Sequence, residues 1–284
     1  MTNVLSVPQA VAAALAVAAA HGVECDEPEV LKNGANVIVH LVPSPVVGRV
    51  AATTAVVRPR PEDYLARDVA VASYAHRNGA SVVPPSDELP AGPHLHDGRV
   101  LTFWRYVEHD RGREADPSEL GASLAALHEV LAGYDLHADM PLPYLGPALG
   151  ELPGLLDALG ARGVLNRSEI ARFEERRARC AVALPLDGAS EPSEQALHGD
   201  SHRRNVLTTA AGLVWTDFED ACRGSVAWDL ACARRSGPDV LTAYGHRPSD
   251  AEVAPYLEAR ELQSELWAIV FAARDRGALD ERAL

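Results

Sequence analysis

Lysine occurs once in this chain of 284 residues, at Lys32. Together lysine and arginine number 26 against 40 acids, a formal net charge of -14. A chain so short of positive charge lacks the basic footprint that nucleic-acid phosphates require, which excludes nucleic acid as a partner. The acidity suits a soluble protein, or one that attracts a cationic ligand. Aromatic residues make up only 5%, so alanine, valine and leucine must fill the core that a 47% hydrophobic composition allows. The four cysteines, Cys25, Cys180, Cys222 and Cys232, form no C-x-x-C pair. No zinc-ligand spacing is present, a disulfide framework is not expected at this length, and a reduced, cytoplasmic setting is expected. No apolar run reaches the roughly 20 residues that cross a bilayer, so no membrane partner is expected. The stretch 11–20 is apolar, but no Lys or Arg precedes it. It reads as an alanine-rich helix between Ser6 or Pro8 and Gly22 rather than as a leader.

What is present falls into two parts. Residues 36–42 (NVIVHLV) and 46–51 (VVGRVA) are β-rich runs joined by Pro43-Ser44-Pro45, a hairpin pattern entered through Gly34. A helix follows with Pro61 at its first position, Glu62 and Asp63 in its first turn, and Gly79 as its stop. Residues 84–98 are rich in Pro and Gly and read as a loop, and 99–107 (RVLTFWRYV) reads as a strand. Asp116-Pro117-Ser118-Glu119 then reads as a capping box opening a helix that carries Leu120, Leu124, Leu127 and Leu131 at helical spacing. Further helices are predicted near 151–160, 167–182, 227–245 and 249–276, with a short strand at 213–216.

The chemistry-bearing segment is LHGDSHRRN at 197–205, followed by LVWTDFED at 213–220. Asp200 and Asn205 stand five apart in a segment without regular pattern, and Asp217 comes directly after a strand. Phosphoryl transfer needs a carboxylate to orient the attacking hydroxyl and hard oxygen ligands for magnesium. Asp200 suits the first role; Asn205 and Asp217 suit the second. Asp200-x-His202 is also a fragment of a two-metal phosphoesterase, but such a site needs further histidine and aspartate ligands, and after His202 only His246 remains.

HGDxxxxN, an acid after the next strand and then Asp229-Leu230-Ala231 resemble the aminoglycoside phosphotransferase (choline/fructosamine kinase-like) family over nearly the whole chain. The resemblance implies an α+β, protein-kinase-like two-lobed fold with a β-rich N-lobe and a mostly helical C-lobe. The N-lobe would span 1–103, an inter-lobe connector 104–107, and the C-lobe 108–284. It implies ATP and Mg2+ as cofactors, Asp200 as the catalytic aspartate, and Asn205 and Asp217 as metal ligands. His198 would support the catalytic loop and Asp229 would brace it; of Arg203 and Arg204 in that loop, one is expected to approach the γ-phosphate. His128 is expected to be structural.

By the same resemblance the hairpin over 36–51 lies above the phosphates, with Gly34 and Asn36 near its start. The usual nucleotide lysine of the next strand is missing, and Arg49 is its expected substitute, paired with Asp68 or Glu62. Backbone groups of the connector, which includes Tyr106, are expected to bind the adenine edge, with Phe103 or Trp104 as an apolar wall. Glu219 and Asp220, with Glu108 and Asp110 at the lobe boundary, are the acids expected near a small, cationic acceptor such as an aminoglycoside or amino sugar. Choline, homoserine and macrolides are alternative acceptors, and a non-catalytic nucleotide-binding regulator is the alternative from another class.

Overall fold

Small side chains let a helix lie close on a sheet, and the first helix is built from them. In α1 (Val7–Ala20), Pro8 occupies the first turn, and Ser6 with Gln9 forms a capping box. Its buried stripe, Ala10, Ala13, Ala14, Val17 and Ala18, packs on one face of an antiparallel sheet. A Cβ at Gly48 of that sheet would stand 3.0 Å from the Cβ of Ala14, so glycine there permits the close approach. The computed structural model describes residues 6–58, 60–136, 140–145, 150–184, 194–245 and 249–279; His246 lies outside them.

The sheet comprises β1 (Cys25–Asn33), β2 (Asn36–Pro43), β3 (Val46–Ala51), β4 (His94–His96) and β5 (Arg99–Arg105), in the order β1-β2-β3-β5-β4. The expected hairpin pairs β2 with β3, Val39 opposite Gly48. β1 is an addition to the sequence reading. Its acids and Pro28 hide the strand pattern, and it pairs with β2 through two register shifts, as an irregular edge strand does. Gly34 therefore sits in the β1–β2 turn, while Pro43-Ser44-Pro45 turns the chain at the opposite end of the sheet. The stretch 84–98 is a loop apart from β4.

The short α2 (Thr53–Val57) leads into α3 (Pro61–Arg77), which begins at the predicted proline and turns Leu65, Asp68, Val71, Ala72 and Ala75 inward. Beyond β5 an extended stretch reaches α4 (Pro117–Leu131). Asp116 caps α4 by accepting from the N–H groups of Ser118 and Glu119 at 2.8 and 3.2 Å. Glu119 does not complete the expected capping box; it pairs with Arg113 instead. Leu120, Leu124, Leu127 and Leu131 fill a core with Trp215 and Phe218.

A second core surrounds Trp228 and gathers α5 (Leu152–Ala161), α6 (Arg167–Ala183), α7 (Ala227–Arg234) and α9 (Asp250–Asp275). The single helix predicted over 227–245 is two, α7 and α8 (Asp239–Tyr244), because Gly237 at φ 151° and Pro238 interrupt it. Two small ribbons, β6 (Gln195–Leu197) with β9 (Cys222–Gly224) and β7 (Val206–Thr209) with β8 (Gly212–Trp215), carry the loops between the helices. No helix among the described residues is long and apolar enough to cross a membrane.

Candidate active site

The segment between β6 and β7 is held in place from beneath. Asp229, fully buried at the start of α7, accepts the N–H groups of His198 at 2.8 Å and Gly199 at 2.9 Å. His128 meets the same carboxylate at 2.9 Å, and Ser201 donates its hydroxyl to the Asp229 carbonyl at 2.7 Å. Gly199 has φ +86°, and a Cβ there would fall 1.8 Å from the Asp220 carbonyl oxygen, so glycine is required. His198 is fully buried between the rings of Trp215 and Phe218. Its Nε2 lies 3.1 Å from the Thr216 carbonyl and its Nδ1 accepts from the Asp200 N–H at 3.3 Å, which sets the neutral Nε2–H tautomer. Burial lowers its pKa and keeps that form. His198 is thus a scaffold for the loop, and its ring is not placed for chemistry.

Asp200 is reached from two sides. The Asn205 side-chain amide donates to the Asp200 backbone carbonyl at 2.9 Å and to its Oδ2 at 3.0 Å, leaving the Asn205 side-chain Oδ1 as the atom a hard cation would take. Arg260 of α9 clamps Oδ1, and His202 stands 3.3 Å from Oδ2. Burial pushes the Asp200 carboxyl up, but Arg260 and then His202 outweigh it and hold it well below the usual range. Arg203 pairs with Glu114 at 3.0 Å while still lining the cleft.

Asp217 follows β8 in the left-handed region, φ 76°, uncommon for a residue other than glycine and tolerated by aspartate. The Thr216 N–H donates to the Asn205 carbonyl at 3.0 Å, so the segments carrying Asp217 and Asn205 are tied together. Arg49 of β3 is buried and faces three carboxylates: Asp68 at 3.2 Å, Glu219 at 2.7 Å, and Asp217. Burial opposes the charge of Asp217, but Arg49 and then Lys32 lower its pKa. Asp68 is pushed up to about 7, chiefly by burial, even with Arg49 pulling it down. Asp68, not Glu62, is the carboxylate that meets Arg49.

Several expectations are corrected. Phe103 is fully buried on the α1 face of β5, so it does not wall the cleft; Trp104 and Tyr106 do. Asn36 is buried, donating to Glu219 at 2.9 Å and accepting from Thr54 at 2.7 Å, so its amide is not turned to a phosphate. Gly34 does line the cleft, and its carbonyl accepts from Arg274 at 2.9 Å. Glu219 and Asp220 do not offer free charge to a cation, because Arg58 takes them at 2.9 and 2.6 Å together with Glu151 at 3.0 Å. Burial pushes Asp220 up to about 8, against the pull of Arg58. Arg58 and Arg260 escaped the sequence reading because neither lies in a motif: one leaves a five-residue helix, the other is mid-helix.

Two cavities adjoin here. One of about 400 Å³ is walled by apolar side chains that include Leu31, Ile38, Val47, Val83, Trp104 and Val206. The other, about 680 Å³, holds Asp200 and the face of α9. Lys32, Arg203, Arg204, Asn205 and Asp217 line both, so the candidate metal ligands stand at their junction. Among the described residues no group of three or more His, Cys, Asp or Glu side chains could hold a metal, so the ligands of a two-metal phosphoesterase are not assembled there. One carboxylate and one amide carbonyl fit magnesium, which keeps waters or phosphate oxygens for the rest of its shell.

No curated protein sequence matches this one. Solved structures that are similar include a choline/ethanolamine kinase family protein from Mesorhizobium loti. It is 19% identical, with TM-score 0.56, over 88% of this chain and 81% of that one. An aminoglycoside phosphotransferase from Streptomyces rimosus is 14% identical, with TM-score 0.62, over 89% and 98%. An amicoumacin kinase, in complex with AMP-PNP, Ca2+ and its ligand, is 13% identical, with TM-score 0.59, over 95% and 88%. These share the two-lobed, protein-kinase-like fold, an antiparallel sheet followed by a helical portion. The model of the phosphotransferase enzyme family matches residues 44–270. The family match, with its sheet lobe followed by a helical lobe, is thus that of a small-molecule kinase, and the chain belongs to the phosphotransferase enzyme family.

Proposed function

We propose that this protein transfers the γ-phosphoryl group of ATP, with magnesium, to a hydroxyl of a small molecule. The observation that carries the reading is the junction of the two cavities, where Asn205 and Asp217 face both sides and Asp200 faces the larger one. The smaller, apolar cavity suits a purine against Trp104, and a structural neighbour was solved with AMP-PNP and Ca2+. In the connector, the N–H groups of Arg105 and Tyr106 already bond the carbonyls of Pro84 and Pro45, so the base is met by the groups that follow.

Asn205 and Asp217 would hold the ion, which neutralises charge on the β- and γ-phosphates when bound. Asp200 orients the acceptor hydroxyl and takes its proton as the oxygen bonds to the γ-phosphorus. The bond from that phosphorus to the bridging oxygen breaks, and ADP leaves. Lys32, Arg203 and Arg204 lie where charge on the transferring group can be met. Arg49 stands at the strand position of a nucleotide lysine, yet its charge serves Asp68, Asp217 and Glu219.

The test is ADP release with ATP and magnesium over a broad panel of alcohols, with GTP in parallel. Asp200→Ala should lose turnover while keeping the rise in melting temperature given by nucleotide. Undiminished turnover in that variant would overturn the reading.

A further inference from the structure

We propose that the acceptor is an alcohol carrying a carboxylate, seated by Arg235 and Arg260, and that its arrival releases Asp200 from Arg260. The proposal rests on the kinase reading above and names the substrate class of that site. Of the residues lining the larger cavity, Lys32, Arg203 and Arg204 are shared with the nucleotide side and belong with the phosphates. Arg235 and Arg260 line only the acceptor side.

Along α9, Arg260, Gln263, Ser264, Trp267, Phe271 and Arg274 recur at helical spacing and present one face to this cavity. That face contains no acid. Arg235 donates to the Ser264 hydroxyl and meets no carboxylate among the described residues. Arg260 is 8% exposed, bonds Gln263 at 2.6 Å and clamps Asp200, yet its buried Nε has no acceptor. The Arg260 and Arg235 guanidinium groups both line the cavity, and such forks fit a planar carboxylate. The acids expected to hold a cation, Glu219 and Asp220, are instead engaged by Arg58, and Glu219 also by Arg49. Trp267 and Phe271, with ring centroids 5.7 Å apart, supply an apolar wall for the body of the acceptor.

The clamp also has a consequence for chemistry. While Arg260 holds Oδ1, the carboxylate that should take the hydroxyl proton is tied down. A substrate carboxylate competes for that guanidinium, so the acid group both anchors the acceptor and frees the base.

The experiment uses the full chain and matched short hydroxy acids, their methyl esters and amino alcohols. ADP release with ATP and magnesium is measured beside calorimetric binding. Hydroxy acids should bind and turn over, and their methyl esters should lose at least about a hundredfold in kcat/KM. Arg235→Met, at an exposed position that leaves the core intact, should raise KM for the acid by about tenfold or more with kcat little changed. Turnover of amino alcohols with no binding of hydroxy acids would overturn this proposal and leave the kinase reading standing. Binding of hydroxy acids, lost in Arg235→Met, without phosphoryl transfer would support the anion site and overturn the kinase reading. Absence of both binding and turnover would overturn this proposal.

Discussion

Gly199 and Asp229 are joined by a 2.9 Å hydrogen bond from the glycine N–H to Oδ1 of the aspartate, while Oδ2 takes the N–H of His198 at 2.8 Å. One buried side chain therefore fixes two consecutive peptide groups directly ahead of Asp200. Its removal strands two buried donors, each costing about 1–3 kcal/mol. Asp229→Ala should lower the melting temperature by at least about 4 °C, at about 2–4 °C per kcal/mol for a chain approaching this size. Thermal unfolding checks it, and turnover should fall with it because the loop loses its support.

Gly199→Ala meets a harder limit. The added methyl would fall 1.8 Å from the Asp220 carbonyl oxygen in a backbone at φ +86°. Backbone cannot yield as a flexible side chain can, so the expected loss is about 3 kcal/mol or more. Soluble yield and denaturant unfolding measure it.

Arg49→Lys tests the three-carboxylate hub. Lysine keeps the charge but loses the fork that reaches Asp68, Asp217 and Glu219 together. The expected outcome is a KM for ATP raised by about tenfold or more, since Asp217 is no longer steadied from β3. Arg49→Ala should be worse, costing about 3–5 kcal/mol, because it leaves buried carboxylates without their partner. An Arg49→Lys enzyme with unchanged KM would separate the hub from nucleotide binding.

Stability should fall as the medium becomes more basic. Folded Asp220 keeps its proton up to about 8, whereas an unfolded aspartate loses it near about 3.9. Between those values the native state binds more protons, so stability declines as pH rises through about 8. Asp68, at about 7, adds to the same slope. Buried His198, with its pKa lowered, acts in the opposite direction only below about pH 6.5, where unfolded histidine charges. Melting temperatures of the metal-free protein should therefore drop from about pH 6.5 to about pH 8, where this contribution levels off, and Asp220→Asn should reduce the drop. A flat profile in the parent protein would show Asp220 ionised at neutrality.

Much of this is legible in the sequence. The proline-led α3, the Asp116 cap of α4, the β2–β3 hairpin and the spacing of Asp200, Asn205 and Asp217 rest on local chemistry, which sequence carries directly. β1 was not legible, because Asp26, Glu27 and Pro28 break the alternation and its pairing depends on β2. The break in 227–245 was readable from Gly237-Pro238 but was overridden by the apolar pattern on either side. Phe103 and Trp104 are adjacent and face opposite sides of β5, and nothing local says which side is the cleft. Arg58 and Arg260 gain their meaning only from partners 93 to 162 and 60 residues away, respectively.

The bond from Arg274 to the Gly34 carbonyl spans 240 positions of sequence. The mouth of the acceptor cavity is thus framed by two stretches of chain that a ribosome makes far apart in time. A nascent polypeptide that has emerged as far as Asp217 carries its reactive carboxylates but not yet the helix that encloses their chamber. The larger cavity is complete only with α9 in place and Arg274 bonded back to the β1–β2 turn.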